Sequence, residues 1–119
     1  MTSEELKSRF KSFAIRIIRL VDCLPSTTSG KVLGNQIIRS GTSPGANYRA
    51  ACVAKSDKDF VNKLKIVEEE LDETLYWLDL ITETELLKPK LLVELRKEAN
   101  ELLLITRSSI LTKKKKMQS

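Results

Sequence analysis

The residues of this sequence that could carry out chemistry are a cluster of acids and two cysteines, because the chain of 119 residues contains no histidine. A zinc site built from Cys and His needs about four such ligands, and a hydroxyl or thiol nucleophile commonly relies on a histidine base. Cys23 and Cys52 provide neither arrangement, and we interpret both as small buried thiols in a reducing compartment. The acids that lie closest together are Glu68, Glu69, Glu70, Asp72 and Glu73.

This acidic cluster does not predict an active site. A di-metal carboxylate bundle uses Glu-x-x-His pairs that project into its core. Here the histidines are absent, and the acids fall mostly outside the apolar stripe of their segment. We therefore predict no catalytic residue, no metal site, no cofactor, and a protein that is not an enzyme.

The arginines suggest a different chemistry, the binding of phosphate. Guanidinium groups pair with phosphate oxygens through two parallel hydrogen bonds. The candidate nucleic-acid-binding residues are Arg16, Arg19, Arg39 and Arg49, all in a part of the chain that is poor in acids. The alternatives are a solvated surface, or ion pairs with acids of the third helix or of a neighbouring subunit. Because aromatic residues suited to base stacking are nearly absent there beyond Tyr48, any binding should be directed at the backbone and weakly sequence-specific.

Charge is distributed unevenly along the chain, whose net charge is +5. Residues 1–55 contain nine Lys/Arg and three Asp/Glu, whereas residues 56–112 contain eight Lys/Arg and thirteen Asp/Glu. Surfaces of opposite sign favour head-to-tail packing, which closes into a ring when the rotation allows. No run approaches the roughly 18 apolar residues that a membrane span needs, and the first residues are acidic where a signal peptide would be basic. We expect a cytoplasmic protein that does not associate with membranes.

The apolar periodicity predicts four helices. The first runs over about 3–24 behind a capping box of Thr2 and Glu5. The second spans roughly 31–55, the third runs to about 84 behind a cap at Ser56, and the fourth begins near Pro89. Helices of this length with short loops predict an all-α, antiparallel up-down-up-down four-helix bundle over residues 1–112. Residues 113–119, with the run Lys113 to Lys116, are expected to be a flexible basic tail.

The second helix should be kinked or briefly broken near Pro44, because proline lacks a backbone donor and clashes with the preceding turn. Thr42 or Ser43 would then cap its second half. Asn47 and Tyr48 follow closely, and we expect structural roles for both, with Asn47 bonding to main-chain groups left free around the proline.

The third helix has a second apolar patch beside its core stripe. Ile66, Trp77 and Leu80 lie on a different face of the helix from that stripe, with Glu73 between them. Large apolar patches usually mark interfaces, so we interpret these four residues as an oligomer interface. The alternative is a broad core that buries both patches within one chain.

Several segments together resemble a known family. They are FAIRIIRL from residue 13, RSGTSPGANYRAA from residue 39, DFVNKLKIVEEELDETLYWLDLI from residue 59 and EANELLLI from residue 98. They are similar to the four-helix bundle proteins encoded within intervening sequences of 23S ribosomal RNA genes. The resemblance implies a ring, typically a homopentamer, with kinship to a basic pentameric accessory protein of diversity-generating retroelements that binds nucleic acid and a reverse transcriptase.

We therefore expect a non-enzymatic, homo-oligomeric accessory protein of an rRNA intervening sequence or mobile element. Its partners would be copies of itself, RNA or DNA, and a reverse transcriptase or another mobile-element protein. The alternative is a protein-protein adaptor that does not bind nucleic acid. This chain departs from the family pattern in its strongly acidic third helix and in Ala50 and Ala51, where the family commonly has a glutamate.

Overall fold

The computed structural model describes all residues, 1–119, and consists of four helices without strands. They are α1 (Ser3–Asp22), α2 (Thr28–Cys52), α3 (Asp57–Glu83) and α4 (Lys90–Gln118). Each helix packs against the ones before and after it, and α4 also meets α1, while the diagonal pairs do not approach. The predicted all-α, up-down four-helix bundle is confirmed, as a rod of 51 × 21 × 20 Å.

The helix starts follow from capping side chains. The amide of Glu5 donates to Thr2 Oγ1 at 3.1 Å, and the amide of Asp59 donates to Ser56 Oγ at 3.0 Å. The structure confirms both predicted caps. Thr27 caps α2 in the same way, with Gly30 N at 3.1 Å, so α2 begins three residues before the predicted start.

The core is formed by one apolar stripe from each helix. The seven inner residues of α4 are all buried, from Leu92 to Ile110. In α3 the buried face includes Val61, Thr74 and Ile81, while Phe60 and Leu75 are half-buried. No helix is both long enough and apolar enough to cross a bilayer.

α2 runs unbroken through Pro44, so the expected break does not occur. Thr42 does not cap a new helix, because its hydroxyl donates back to the carbonyl of Ile38 at 2.6 Å. Glycines allow α2 to lie close to α1: a Cβ added to Gly41 would lie 2.7 Å from Ile17 Cγ1. This approach is too close for any side chain.

The C-terminus of the chain differs from the prediction of a bundle that ends at residue 112. α4 continues through the lysine run to Gln118. Lys113 pairs with Asp57 at 3.3 Å and lies 5.1 Å from the centre of the Phe60 ring. These contacts hold the Lys113 side chain against α3. Lys114, Lys115 and Lys116 follow it within the same helix.

Candidate functional site

The contact between α2 and α3, here called the α2–α3 seam, is lined by polar side chains of the predicted motif residues. Arg39 forms an ion pair with the Glu73 carboxylate. The same carboxylate accepts a hydrogen bond from Trp77 Nε1 at 3.1 Å. Arg39 therefore has an acidic partner within its own chain, which was one of the alternatives for the arginines.

Glu70 is the second acceptor of the α2–α3 seam. Its half-buried carboxylate accepts from Asn47 Nδ2 at 3.0 Å and from the hydroxyl of Ser43. Asn47 thus has a structural role, but its partner is this carboxylate and not the main chain beside Pro44. Deeper in the seam the hydroxyl oxygens of Ser40 and Thr74, both fully buried, lie 2.9 Å apart.

Tyr48 is held in the core next to α1. It is buried, and its ring stacks on Phe10 with centroids 5.2 Å apart. Burial, and then a hydrogen bond with Cys52, raise the pKa of the Tyr48 hydroxyl far above its ordinary value. Tyr48 is therefore a neutral core residue near the glycine contacts of α2.

The predicted interface residues of α3 differ in exposure. Ile66 is 42% exposed, whereas Leu80 is half-buried and Trp77 packs against the core. Glu73 is engaged in the α2–α3 seam. The neighbouring Tyr76, which sequence reasoning did not select, is 57% exposed and makes an edge-to-face contact with Trp77.

A groove of about 530 Å³ runs along the outside of α1 and α2. Its lining includes small residues, among them Ala14 and Gly45, three basic residues, Lys7, Lys11 and Arg49, and one acid, Glu4. We call it the basic groove. Lys7 pairs with Glu4 at 3.0 Å, whereas Lys11 and Arg49 form no ion pair within the chain.

On the other side of α1, the contact with α4 changes character along its length. Near the start of α1, Arg9 Nε donates to Glu98 at 3.0 Å, and Glu101 is 3.3 Å from the same guanidinium. The hydrogen bond from Arg9 to Glu98 raises the pKa of Arg9 above its usual value. This end of the contact is closed by an ion cluster.

The other end of the α1–α4 contact is open. A pocket of about 230 Å³ is lined by Arg16 and Arg19 of α1. The leucines in its lining are Leu20 of α1, Leu91 and Leu95 of α4, and Leu87 in the loop before α4. Neither arginine forms an ion pair within the chain. Cys23 also lines this pocket and is exposed, so the prediction that both thiols are buried is wrong for Cys23. We call this site the leucine pocket.

The four predicted arginines therefore do not form one site. Arg16 and Arg19 lie together at the leucine pocket, Arg49 lies in the basic groove, and Arg39 lies in the α2–α3 seam. Sequence reasoning missed Lys11, whose partner in the groove is thirty-eight residues away in sequence. The one signal available was the run of small residues, from Gly41 to Ala46, that leaves space between α1 and α2.

The acids of α3 are used in contacts between helices. Glu68 accepts from Arg107 Nε at 2.9 Å, and Asp79 accepts from Arg96 Nε at 2.8 Å. The hydrogen bond with Asp79 raises the pKa of Arg96 above its usual value. No group of three or more potential ligands is arranged to hold a metal ion.

Comparison with known proteins gives one consistent result. The sequence model of the 23S rRNA-intervening sequence protein family matches residues 5–108. A crystal structure of a protein of unknown function from the S23 ribosomal protein family of Bacteroides thetaiotaomicron VPI-5482 is similar, with 38% identity and a TM-score of 0.83. The similarity covers 88% of this chain and 97% of that one. No curated protein matches the chain.

Proposed function

The chain belongs to the 23S rRNA-intervening sequence protein family, and we propose that it is a non-enzymatic, cytoplasmic accessory protein that binds RNA or duplex DNA as a homo-oligomeric ring. The observation that carries the proposal is the basic groove. There, Lys11 and Arg49 face solvent without a carboxylate partner, in a channel about 530 Å³ in volume.

The chemistry of the groove suits a phosphate backbone. Arginine and lysine are the residues that contact phosphate oxygens in most nucleic-acid complexes. The small residues of the lining would let a sugar-phosphate strand approach the helices closely. The groove contains no exposed aromatic ring on which a base could stack, so the binding would have little sequence preference.

A homo-oligomeric ring would contain one copy of the basic groove in each subunit. α1 and α3 lie on a diagonal of the bundle and differ in charge, since α3 contains nine Asp/Glu and three Lys. Exposed apolar side chains lie on both helices, among them Ile18 on α1 and Ile66 and Tyr76 on α3. Opposite charge and apolar patches on opposite sides suit head-to-tail packing, and we propose a pentamer. Several weak phosphate contacts on one ring would then add up on a single polymer.

Oligomerisation is tested by light scattering on the purified protein at micromolar concentration. We expect a mass of about five times the 13.5 kDa of one chain. A monomer mass under these conditions would contradict the ring.

Nucleic-acid binding is tested by fluorescence anisotropy with labelled duplex DNA and a labelled RNA hairpin across a salt series. Neutralising the groove in Lys11→Gln/Arg49→Gln should weaken binding and reduce the slope of log affinity against log salt by about 1 for each phosphate that is no longer neutralised. The matched control is Lys58→Gln/Lys65→Gln, which removes two exposed, unpaired lysines from α3. Equal weakening in the two double variants would show nonspecific attraction.

The lysine run at the end of α4 is tested separately, because this cationic helix end could bind nucleic acid without the basic groove. Replacing Lys114, Lys115 and Lys116 by glutamine leaves the Lys113–Asp57 pair intact. If that triple variant loses all binding while the groove variant loses none, the basic groove is not the site.

A further inference from the structure

The leucine pocket is the one place in the molecule where unpaired arginines lie beside accessible apolar side chains. Three of the leucines that line it differ in exposure: Leu91 is 51% exposed, whereas Leu20 and Leu95 are buried. Arg16 and Arg19 line the same pocket. A site of this composition matches a ligand that is apolar and acidic at once.

The register of α1 and α4 explains why these cations have no partner. The two helices are antiparallel, and Arg9 pairs with Glu98. Seven residues is close to two helical turns, so a step of seven along α1 corresponds to a step of seven backwards along α4. That step takes Arg9 to Arg16 and Glu98 to Leu91. The leucine pocket therefore occupies a position equivalent to the Arg9 ion cluster, with Leu91 in place of Glu98. The same step takes Glu101 to Glu94, an exposed acid that forms no ion pair within the chain.

We propose that the leucine pocket binds a segment of a partner protein in which a large apolar side chain lies beside carboxylates. The apolar side chain would contact Leu87, Leu91 and Leu95, and a carboxylate would pair with Arg16 or Arg19 as Glu98 pairs with Arg9. This inference does not rest on nucleic-acid binding at the basic groove, which lies on the other side of α1.

The size and lining of the pocket favour a peptide over the other anions. Its volume of about 230 Å³ is below the roughly 300 Å³ at which pockets for small organic ligands begin, and it suits one large side chain. Leucines offer nothing to a sugar-phosphate backbone. Arginine is, in contrast, enriched among the residues that contribute most of the binding energy at protein-protein interfaces.

The test measures binding of a fluorescein-labelled peptide in which a single leucine lies between pairs of glutamates. We expect a saturable rise in anisotropy, and no rise with a peptide that has lysine in place of glutamate or serine in place of leucine. Arg16→Gln/Arg19→Gln should weaken binding by roughly tenfold or more, the size expected when one charge-assisted hydrogen bond is removed. Failure of the acidic peptide to bind, or unchanged binding to this double variant, would overturn the proposal.

A second pair of variants separates the pocket from general changes in α4. Leu91→Glu should abolish peptide binding, because its carboxylate would occupy Arg16. Val93→Glu introduces the same carboxylate on the same helix, at a position that is 58% exposed and outside the pocket, and it should leave binding unchanged. Equal effects of the two substitutions would count against the site.

Cys23 reports whether the pocket is accessible in the assembled protein. In a Cys52→Ala background, a thiol reagent should modify Cys23 rapidly, and saturating acidic peptide should slow that reaction severalfold. If Cys23 of the assembled protein does not react, a neighbouring copy already covers the pocket, and the proposal of an external partner is wrong.

Discussion

Arg39 in the α2–α3 seam and Arg16 at the α1–α4 contact are the same residue type on neighbouring helices, but only Arg39 forms an ion pair. Arg39 meets Glu73 across the seam, in a network that also holds Trp77. Arg16 lines the leucine pocket together with Leu91 and has no ion-pair partner within the chain. The residue on the facing helix, Glu73 in one case and Leu91 in the other, accounts for one arginine being paired and the other unpaired.

The largest effect should come from removing the central acceptor of the α2–α3 seam. Glu70→Ala leaves the half-buried Asn47 amide without its acceptor, whereas the Ser43 hydroxyl keeps the Arg39 carbonyl as an acceptor, 2.7 Å away. We expect the free energy of unfolding to fall by about 3 kcal/mol, the upper end of the range for a buried polar group left unpaired, because Asn47 loses its acceptor and the hydrogen bond from Ser43 to Glu70 is lost as well. The measurement is urea denaturation at one fixed protein concentration, because assembly contributes to stability.

The adjacent Glu69 provides the control for this experiment. It is exposed and has no side-chain partner, so Glu69→Ala should change the free energy of unfolding by less than about 0.5 kcal/mol. If the two substitutions cost the same, the α2–α3 seam is not the stabilising contact that its geometry indicates.

A smaller loss is expected for Asn47→Ala, about 1 to 2 kcal/mol, because the Glu70 carboxylate still accepts a hydrogen bond from Ser43. The hydrogen bond from Asn47 to Glu70 also predicts strong coupling. In a double-mutant cycle, Asn47→Ala should cost much less in the Glu70→Ala background than in the wild type. Additive losses would mean that Asn47 stabilises the chain through other contacts.

Arg9 and Arg16 form a matched pair for the α1–α4 contact, since they are seven residues apart on one helix. The Arg9 side chain is 29% exposed and paired, and Arg9→Gln should lower the free energy of unfolding by about 1 kcal/mol. Arg16→Gln should lower it by less than about 0.5 kcal/mol. Thermal denaturation of both variants decides this, and a larger loss for Arg16 would reveal a partner that the geometry does not show.

The smallest effect, and one of opposite sign, should come from Leu91→Glu. This substitution places a carboxylate opposite Arg16 and so repeats the arrangement of Arg9 and Glu98. A partly exposed ion pair contributes about 0.5 kcal/mol, and replacing the exposed leucine costs little. We expect the free energy of unfolding to rise slightly, and to stay unchanged when Arg16→Gln is added. Destabilisation by more than about 1 kcal/mol would show that Leu91 is a core residue.

The fold was readable from the sequence because bundle helices carry their burial pattern in their own periodicity. The buried residues of α4 recur every three or four positions, from Leu92 and Leu95 to Thr106 and Ile110. The pattern was less reliable in α3, where Thr74 is buried although it is polar. Its hydroxyl is 2.8 Å from the Glu70 carbonyl of its own helix and 2.9 Å from the Ser40 hydroxyl of α2, and no local pattern contains this second partner.

The site was predicted less well for the same reason. The arginines were identified by type, but whether each is paired depends on helix register, which sequence spacing alone does not reveal. The exposure of Cys23 depends likewise on the opening between α1 and α4. The nucleic-acid and oligomer roles of the selected residues stay predictions.

The arrangement of contacts around the bundle also bears on the order in which the chain folds. Three of the four helix contacts join consecutive helices through short connections, whereas the contact between α1 and α4 joins the two ends of the chain. Closing that largest loop costs the most chain entropy. The contact is held at one end by the Arg9 cluster and open at the other. The topology therefore predicts that α1 and α4 meet last during folding, and that amides bordering the leucine pocket exchange with solvent before those of the α2–α3 seam.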